Sequence, residues 1–366
     1  MNIDSTLSAY FDFLKFSLNA EAEIPQSVET IVWHDFREFA KKQSIVGVIF
    51  EGMKRLTGIP VNKPTDDDIM EWMQLTNKIE VRNKVMNKKS ALVVRNFRRE
   101  GFRSCIIKGQ GNALMYPNPY CRQPGDIDVW VEGKDKDVIA YVRNLCPRVR
   151  ALYYHIDFPK VKGVDVEVHY RPTYLNNFRS NSNLQAFFRE QGDKQFENIV
   201  DLPDDAGQIA VPTPAFNRIY QMAHISNHFF NEGIGLRQLI DYYYVLRQGF
   251  TPDEQNADRQ TLRRCGLYSV AASVMYVMRE VLGLPEEMMI VPSDERRGAL
   301  LLREILEGGN FGQFDTRYGH NTNASKPVKN IQRLYRDACF ALSFPGESLS
   351  EPFFRLWHFF WRQKHN

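Results

Sequence analysis

Between residues 164 and 170 the chain reads VDVEVHY, apolar and polar side chains alternating almost without a break. Successive side chains of an extended backbone point to opposite faces, so a run like this folds as a strand with one buried face. Val164, Val166 and Val168 take one side, and Asp165, Glu167 and His169 take the other. A second run, DIDVWVEG at 126–133, behaves in the same way. Ile127, Val129 and Val131 face a core, while Asp126 and Asp128 stand side by side on the opposite face. If the two strands are neighbours, three or four carboxylates converge.

The surrounding residues supply the rest of a small sheet. SCIIK at 104–108 reads as a buried strand, GQGNALMY as a turn into a helix, 134–146 as a helix and ALYYHIDF at 151–158 as another strand, with a turn at Lys162-Gly163 before the next. Helical spacing dominates on both sides. Upstream, Thr65 caps a helix opened by Asp66, Asp67 and Asp68, whose Ile69, Trp72, Leu75 and Ile79 recur at steps of three or four and which runs to Glu100. Downstream, helices are expected at 214–230, 236–248, 259–282, 296–307, 327–342 and 350–362, with a Gly/Asn-rich break at 308–325. The expected class is α+β: an N-terminal helical region over 1–100, an α/β core over 101–212 and a C-terminal helical domain over 213–366.

Overall charge does not name a partner. Lysine and arginine total 47 against 44 acidic residues, a net charge of +3, unlike the concentrated field of a dedicated nucleic-acid binder. The basic run Lys78, Arg82, Lys84, Lys88, Lys89, Arg95, Arg98 and Arg99 is read as a solvated helix face, with a nucleic-acid scaffold as the sharper alternative. Five scattered cysteines without a C-x-x-C pair suit a reducing compartment. Asp4, Asp12 and Lys15 interrupt the amino terminus before an apolar run can form, and the apolar stretch from Ser269 to Met278 is too short to cross a bilayer. A cytoplasmic protein without a membrane partner is expected. The aromatic carboxy-terminal stretch PFFRLWHFFWRQKHN is expected to dock on the helical bundle.

Clustered carboxylates repel one another unless a cation intervenes, and oxygen-rich sites suit Mg²⁺ or Mn²⁺. Just upstream, Ile107-Lys108-Gly109 ends a strand on a base followed by a glycine at a helix start, where backbone amides can approach phosphate. Lys108 and Arg122 would add charge to hold it.

With Ile107-Lys108-Gly109, Tyr116-Pro117, Arg122 ahead of Asp126-Ile127-Asp128, and Glu167-Val168-His169 in this order and spacing, the chain resembles the uncharacterised nucleotidyltransferases, a branch of the DNA polymerase beta-like nucleotidyltransferase superfamily. The resemblance covers residues 101–172 strongly. His224, His228, Arg237 and Asp241 look like a weaker signature further on. It implies a nucleotidyltransferase core in which Asp126 and Asp128 ligate two divalent ions and Glu167 is the third carboxylate, as metal ligand or general base. Lys108, Gly109 and Arg122 would face the phosphates of an NTP. The acceptor would be a hydroxyl on a small molecule, protein or RNA. Two ions roughly 4 Å apart can bridge attacking and leaving oxygens of an in-line displacement. One departure is Gln110, where the wider superfamily has a serine after the glycine. It leaves open a non-catalytic nucleotide-binding or regulatory module, of toxin-antitoxin-like character.

His169, His224, His228, Arg237 and Asp241 are candidates for an acceptor pocket. His224 and His228 lie four apart on a helix without the glutamate of H-E-x-x-H, so packed or hydrogen-bonded histidines are favoured over a zinc pair. Arg237 and Asp241, also four apart, are placed to form a local ion pair.

Overall fold

The structure, a computed structural model, describes residues 4–159, 161, 163–315, 317 and 326–366. The chain is α+β, a small mixed sheet set among helices. Helices α1 (Ser5–Leu18), α2 (Trp33–Gln43) and α3 (Val46–Lys54) precede α4 (Asp66–Arg99). The side chain of Thr65 accepts from the Asp68 amide at the start of α4, and three aspartates there complement the helix dipole. At about 1.5 Å per residue α4 is on the order of 50 Å long, enough to serve two cores. Trp72 and Ile79 belong to the large helical core, whereas Met86, Val93, Val94 and Phe97 pack under the sheet.

The sheet is built from β1 (Ser104–Ile106), β2 (Ile127–Val131), β3 (His155–Phe158) and β4 (Val166–His169), in the order β1-β2-β4-β3. α5 (Gln110–Ala113) and α6 (Asp135–Leu145) lie in its connections. β2 and β4 run parallel; the two outer pairs are antiparallel. Ile127, Val129, Val131, Val166 and Val168 are all buried in one cluster, as the alternation requires. β3 starts later than expected because the chain folds back before it: the Leu152 amide bonds the His155 carbonyl and Ala151 bridges to Ile156. Lys162 of the expected turn lies outside the described residues, as does most of the latter part of the expected 308–325 break.

Next come α7 (Phe178–Glu197), a hairpin of β5 (Ile199–Leu202) and β6 (Gly207–Ala210), α8 (Pro214–Asn231) and α9 (Leu236–Arg247). The single helix expected over 259–282 is two, α10 (Pro252–Arg264) and α11 (Tyr268–Leu282). Gly266 separates them with φ at +69°, and the Gly266 and Leu267 amides return to Arg263 and Leu262, the glycine-terminated end of a helix. α12 (Glu295–Gly308), α13 (Lys326–Ala341), α14 (Pro345–Ser348) and α15 (Glu351–His365) complete the chain.

α15 meets the expectation that the carboxy-terminal aromatics dock only in part. Phe354 is buried and stacks with Tyr174, and Trp357 and Trp361 pack edge-on to Tyr153. Phe353, Leu356, Phe359 and Phe360 are exposed. A helix lying on one ridge buries only one stripe, and this one carries apolar residues on more faces than it can cover. Among the described residues, no helix is long and apolar enough to cross a membrane.

Candidate active site

The strand registers assemble the site. Asp128 lies directly beside Glu167 across the parallel pair, and His155 lies opposite His169 across the antiparallel one. Asp128, Glu167, His169 and His155 therefore share one face of three adjacent strands. Asp126 stands just before β2. One oxygen from each of Asp126, Asp128 and Glu167 lies within 4.8 Å of the others. All eleven residues singled out from the sequence line one cleft of about 660 Å³.

The floor of the cleft is strongly coupled. Lys108 Nζ is 3.0 Å from Asp128 Oδ1, and His169 Nε2 reaches the same oxygen at 3.0 Å. Burial raises the cost of the Asp128 charge, but Lys108 and His169 outweigh it and hold the carboxyl well below its usual range. Among the described residues Asp126 has no such partner. The Asp128 charge, reinforced by burial, pushes it up to about 6. Burial opposes the charge on His169, yet hydrogen bonds to Asp128 and Glu167 lift it to about 9. Burial holds Lys108 back in the same way, and the surrounding anions keep it protonated. His155, close to Glu167 but without a hydrogen bond, is pushed by burial down to about 4.

Gly109 has φ +64° and ψ −111°, a conformation costly for any residue with a Cβ. The helix it opens, α5, is only four residues long, so the expected attraction of a helix amino terminus for phosphate has little dipole behind it. Gln110 turns away from the cleft: its side chain is buried and its amide donates to Asn87 of α4.

The opposite wall comes from α8 and α9. His224 is buried and meets His228 edge-on at 4.3 Å between ring centroids. Burial, with the nearby cations, holds His224 neutral. His228 Nδ1 lies 3.0 Å from Glu232 Oε2.

The local Arg237–Asp241 pair does not form. Asp241 is taken by Arg122, whose Nε and Nη2 donate to its two oxygens at 2.7 and 2.8 Å, and by the Tyr116 hydroxyl at 2.7 Å. A bidentate fork over a buried carboxylate outcompetes a single turn of helix. The Asn83 side chain fixes this arrangement by donating to the carbonyls of Tyr120 and Arg122. Arg122 is thus committed to Asp241 rather than open to phosphate. Arg237 instead donates to the Gln123 carbonyl at 3.3 Å, lies over the Phe311 ring, and keeps a buried Nε with no hydrogen-bond partner among the described residues.

Sequence reading left out His155 and Asp157, although the alternation applied to β2 and β4 also puts both on the Glu167 face of β3. Phe311, Asn227 and Glu232 line the cleft as well, with no signal in the sequence to mark them.

Residues 29–283 match the model of a family described as uncharacterised nucleotidyltransferase. Among solved structures, an antigenic nucleotidyltransferase-like protein from Paracoccidioides brasiliensis is similar at 9% identity and a TM-score of 0.34, over 57% of this chain and 94% of that one. No curated protein matches the chain.

Proposed function

The chain belongs to the uncharacterised nucleotidyltransferase family, and on that premise we propose that it transfers a nucleoside monophosphate from an NTP to a hydroxyl-type acceptor with the help of divalent metal. The observation that carries this reading is the convergence of Asp126, Asp128 and Glu167 on one point of the cleft floor. The donor set fits Mg²⁺ or Mn²⁺. All three ligands are hard oxygens, and the raised Asp126 carboxyl marks a place short of positive charge. Bound there, two ions would supply Lewis-acid stabilisation of the transferring phosphoryl group.

The remaining steps belong to the chain's own residues. Lys108 exchanges part of its contact with Asp128 for the incoming phosphates, and Gly109 lets backbone amides come close. Arg237, with an unpartnered buried Nε among the described residues, is the second cation for an anionic substrate. Glu167 ligates metal or takes the acceptor proton. Arg122 and Asp241 position rather than bind.

Asp126→Asn and Asp128→Asn should each abolish Mg²⁺-dependent pyrophosphate release from NTPs offered with a cell extract. Glu167→Gln should lose most turnover yet keep more nucleotide affinity than either. Full turnover in either aspartate variant would sink the assignment. Gln110 favours a second reading, nucleotide binding without turnover, because no hydroxyl follows Gly109 to meet a terminal phosphate. Tight binding of a non-hydrolysable NTP with no pyrophosphate released from any NTP would select it.

A further inference from the structure

At the cleft floor, where Glu167 and His169 line it and His155 lies buried beside them, there is a second set of donors that the three carboxylates do not account for. His155 on β3 and His169 on β4 face each other with ring centroids 5.3 Å apart, and both are more than nine-tenths buried, at 6% and 2% exposure. Each turns a ring nitrogen toward the same carboxylate oxygen. His155 Nδ1 is 3.6 Å from Glu167 Oε2, and His169 Nε2 is 3.4 Å from it. One donor atom from each of the three residues lies within 4.8 Å of the others.

His155 Nδ1 has no hydrogen-bond partner among the described residues, an uncommon state for a polar atom at that depth. Ligands bound at 2.0–2.1 Å to a tetrahedral ion are about 3.3 Å apart, close to both measured separations. Two imidazoles and one carboxylate form a borderline donor set, which takes Zn²⁺ or Co²⁺ in preference to Mg²⁺. Behind the ring, His155 Nε2 faces Asp157 Oδ1 at 3.9 Å, on the side where metal-bound histidines are commonly oriented by a carboxylate.

We propose that His155, Glu167 and His169 form a transition-metal site, chemically distinct from the carboxylate cluster and sharing Glu167 with it. An ion there displaces the His169 Nε2 proton, which leaves to solvent, and takes the freed lone pair, so the contact of His169 with Asp128 is given up and Asp128 is left to Lys108. This goes beyond nucleotidyl transfer, since binding at the site requires neither nucleotide nor acceptor.

The test is a titration of the full, chelator-stripped chain with Co²⁺ alone, in excess Mg²⁺, followed by visible absorption and calorimetry. About one Co²⁺ per chain should bind against that excess, with the absorption of a nitrogen-and-oxygen-ligated ion. Asp126→Asn should keep this binding. His155→Phe, and the more conservative His155→Gln, should weaken it at least about 100-fold, with far-UV circular dichroism confirming the fold. Wild-type protein that binds no Co²⁺, or releases it to Mg²⁺, overturns the proposal whatever the variants do. So does binding lost in Asp126→Asn and kept in both His155 variants. Failure of the nucleotidyl-transfer reading would show separately as absent pyrophosphate release, which this titration does not measure.

Discussion

Asp126 and Asp128 are the same residue type, two positions apart at one strand, and their surroundings treat them oppositely. Asp128 is buried but held between the Lys108 ammonium and His169. Asp126 answers chiefly to the repulsion of Asp128. In chelator at pH 8, replacing Asp126 with asparagine removes an unfavourable charge and should stabilise the fold, by at most about 3 kcal/mol for a shift of about two pKa units. Asp128→Asn does the reverse, leaving a buried ammonium without its anion, and should destabilise by several kcal/mol. Urea unfolding of the two metal-free variants checks the contrast; equal shifts of the same sign would refute it. The alternation in DIDVWVEG identifies both aspartates as outward neighbours. It does not reveal which is neutralised, because Lys108 reaches Asp128 only once β1 and β2 are paired.

At the scale of elements, α14 shows how a short helix is tied to the rest. Glu347 accepts from the Asn176 and Asn177 amides at 2.7 and 3.3 Å, just ahead of α7. Burial pushes its carboxyl up to about 7 despite these bonds. The folded pKa lies above the unfolded value near 4.5, so the folded state holds this proton more tightly. The associated stability is complete below about pH 4.5 and is lost as pH rises through 7. Between pH 5 and pH 8 the wild type should lose up to about 3 kcal/mol from this group, a loss absent in Glu347→Gln. Urea midpoints of both proteins at the two pH values measure it, and parallel behaviour would dismiss Glu347 as the cause. Elements such as β2, β4 and α4 were legible in the sequence because their periodicity is local. α7 was not, since its buried face includes Asn181, Gln185 and Gln195, whose side chains bond backbone or one another and break the apolar rhythm. The β5–β6 hairpin exposes half of its residues, and its turn places Asp204 and Asp205 in left-handed conformation, which a reading by hydrophobic pattern overlooks.

Over the whole molecule, the cleft lies where a sheet wall carrying the carboxylates meets a helical wall carrying His224, His228 and Arg237, and the Arg122–Asp241 pair joins the two. That joint, 119 residues apart along the chain, could not be read from spacing, which offered only Arg237 as a partner. Its worth can be separated from substrate binding. Asp241→Leu should cost about 3–5 kcal/mol, mostly because it strands the buried guanidinium. Adding Arg122→Met removes the stranded charge and should recover much of the loss. Tyr116→Phe should recover about 1 kcal/mol more by deleting the hydroxyl that Asp241 no longer accepts from. Since the Arg122 fork is spent on Asp241, the triple variant should bind a non-hydrolysable NTP within a few-fold of wild type once its stability has returned. Unfolding in urea and equilibrium nucleotide binding, run on the same preparations, give the two readouts. A hundred-fold loss of nucleotide affinity at recovered stability would make Arg122 a phosphate ligand after all, and the clamp would then be the resting state of a binding group.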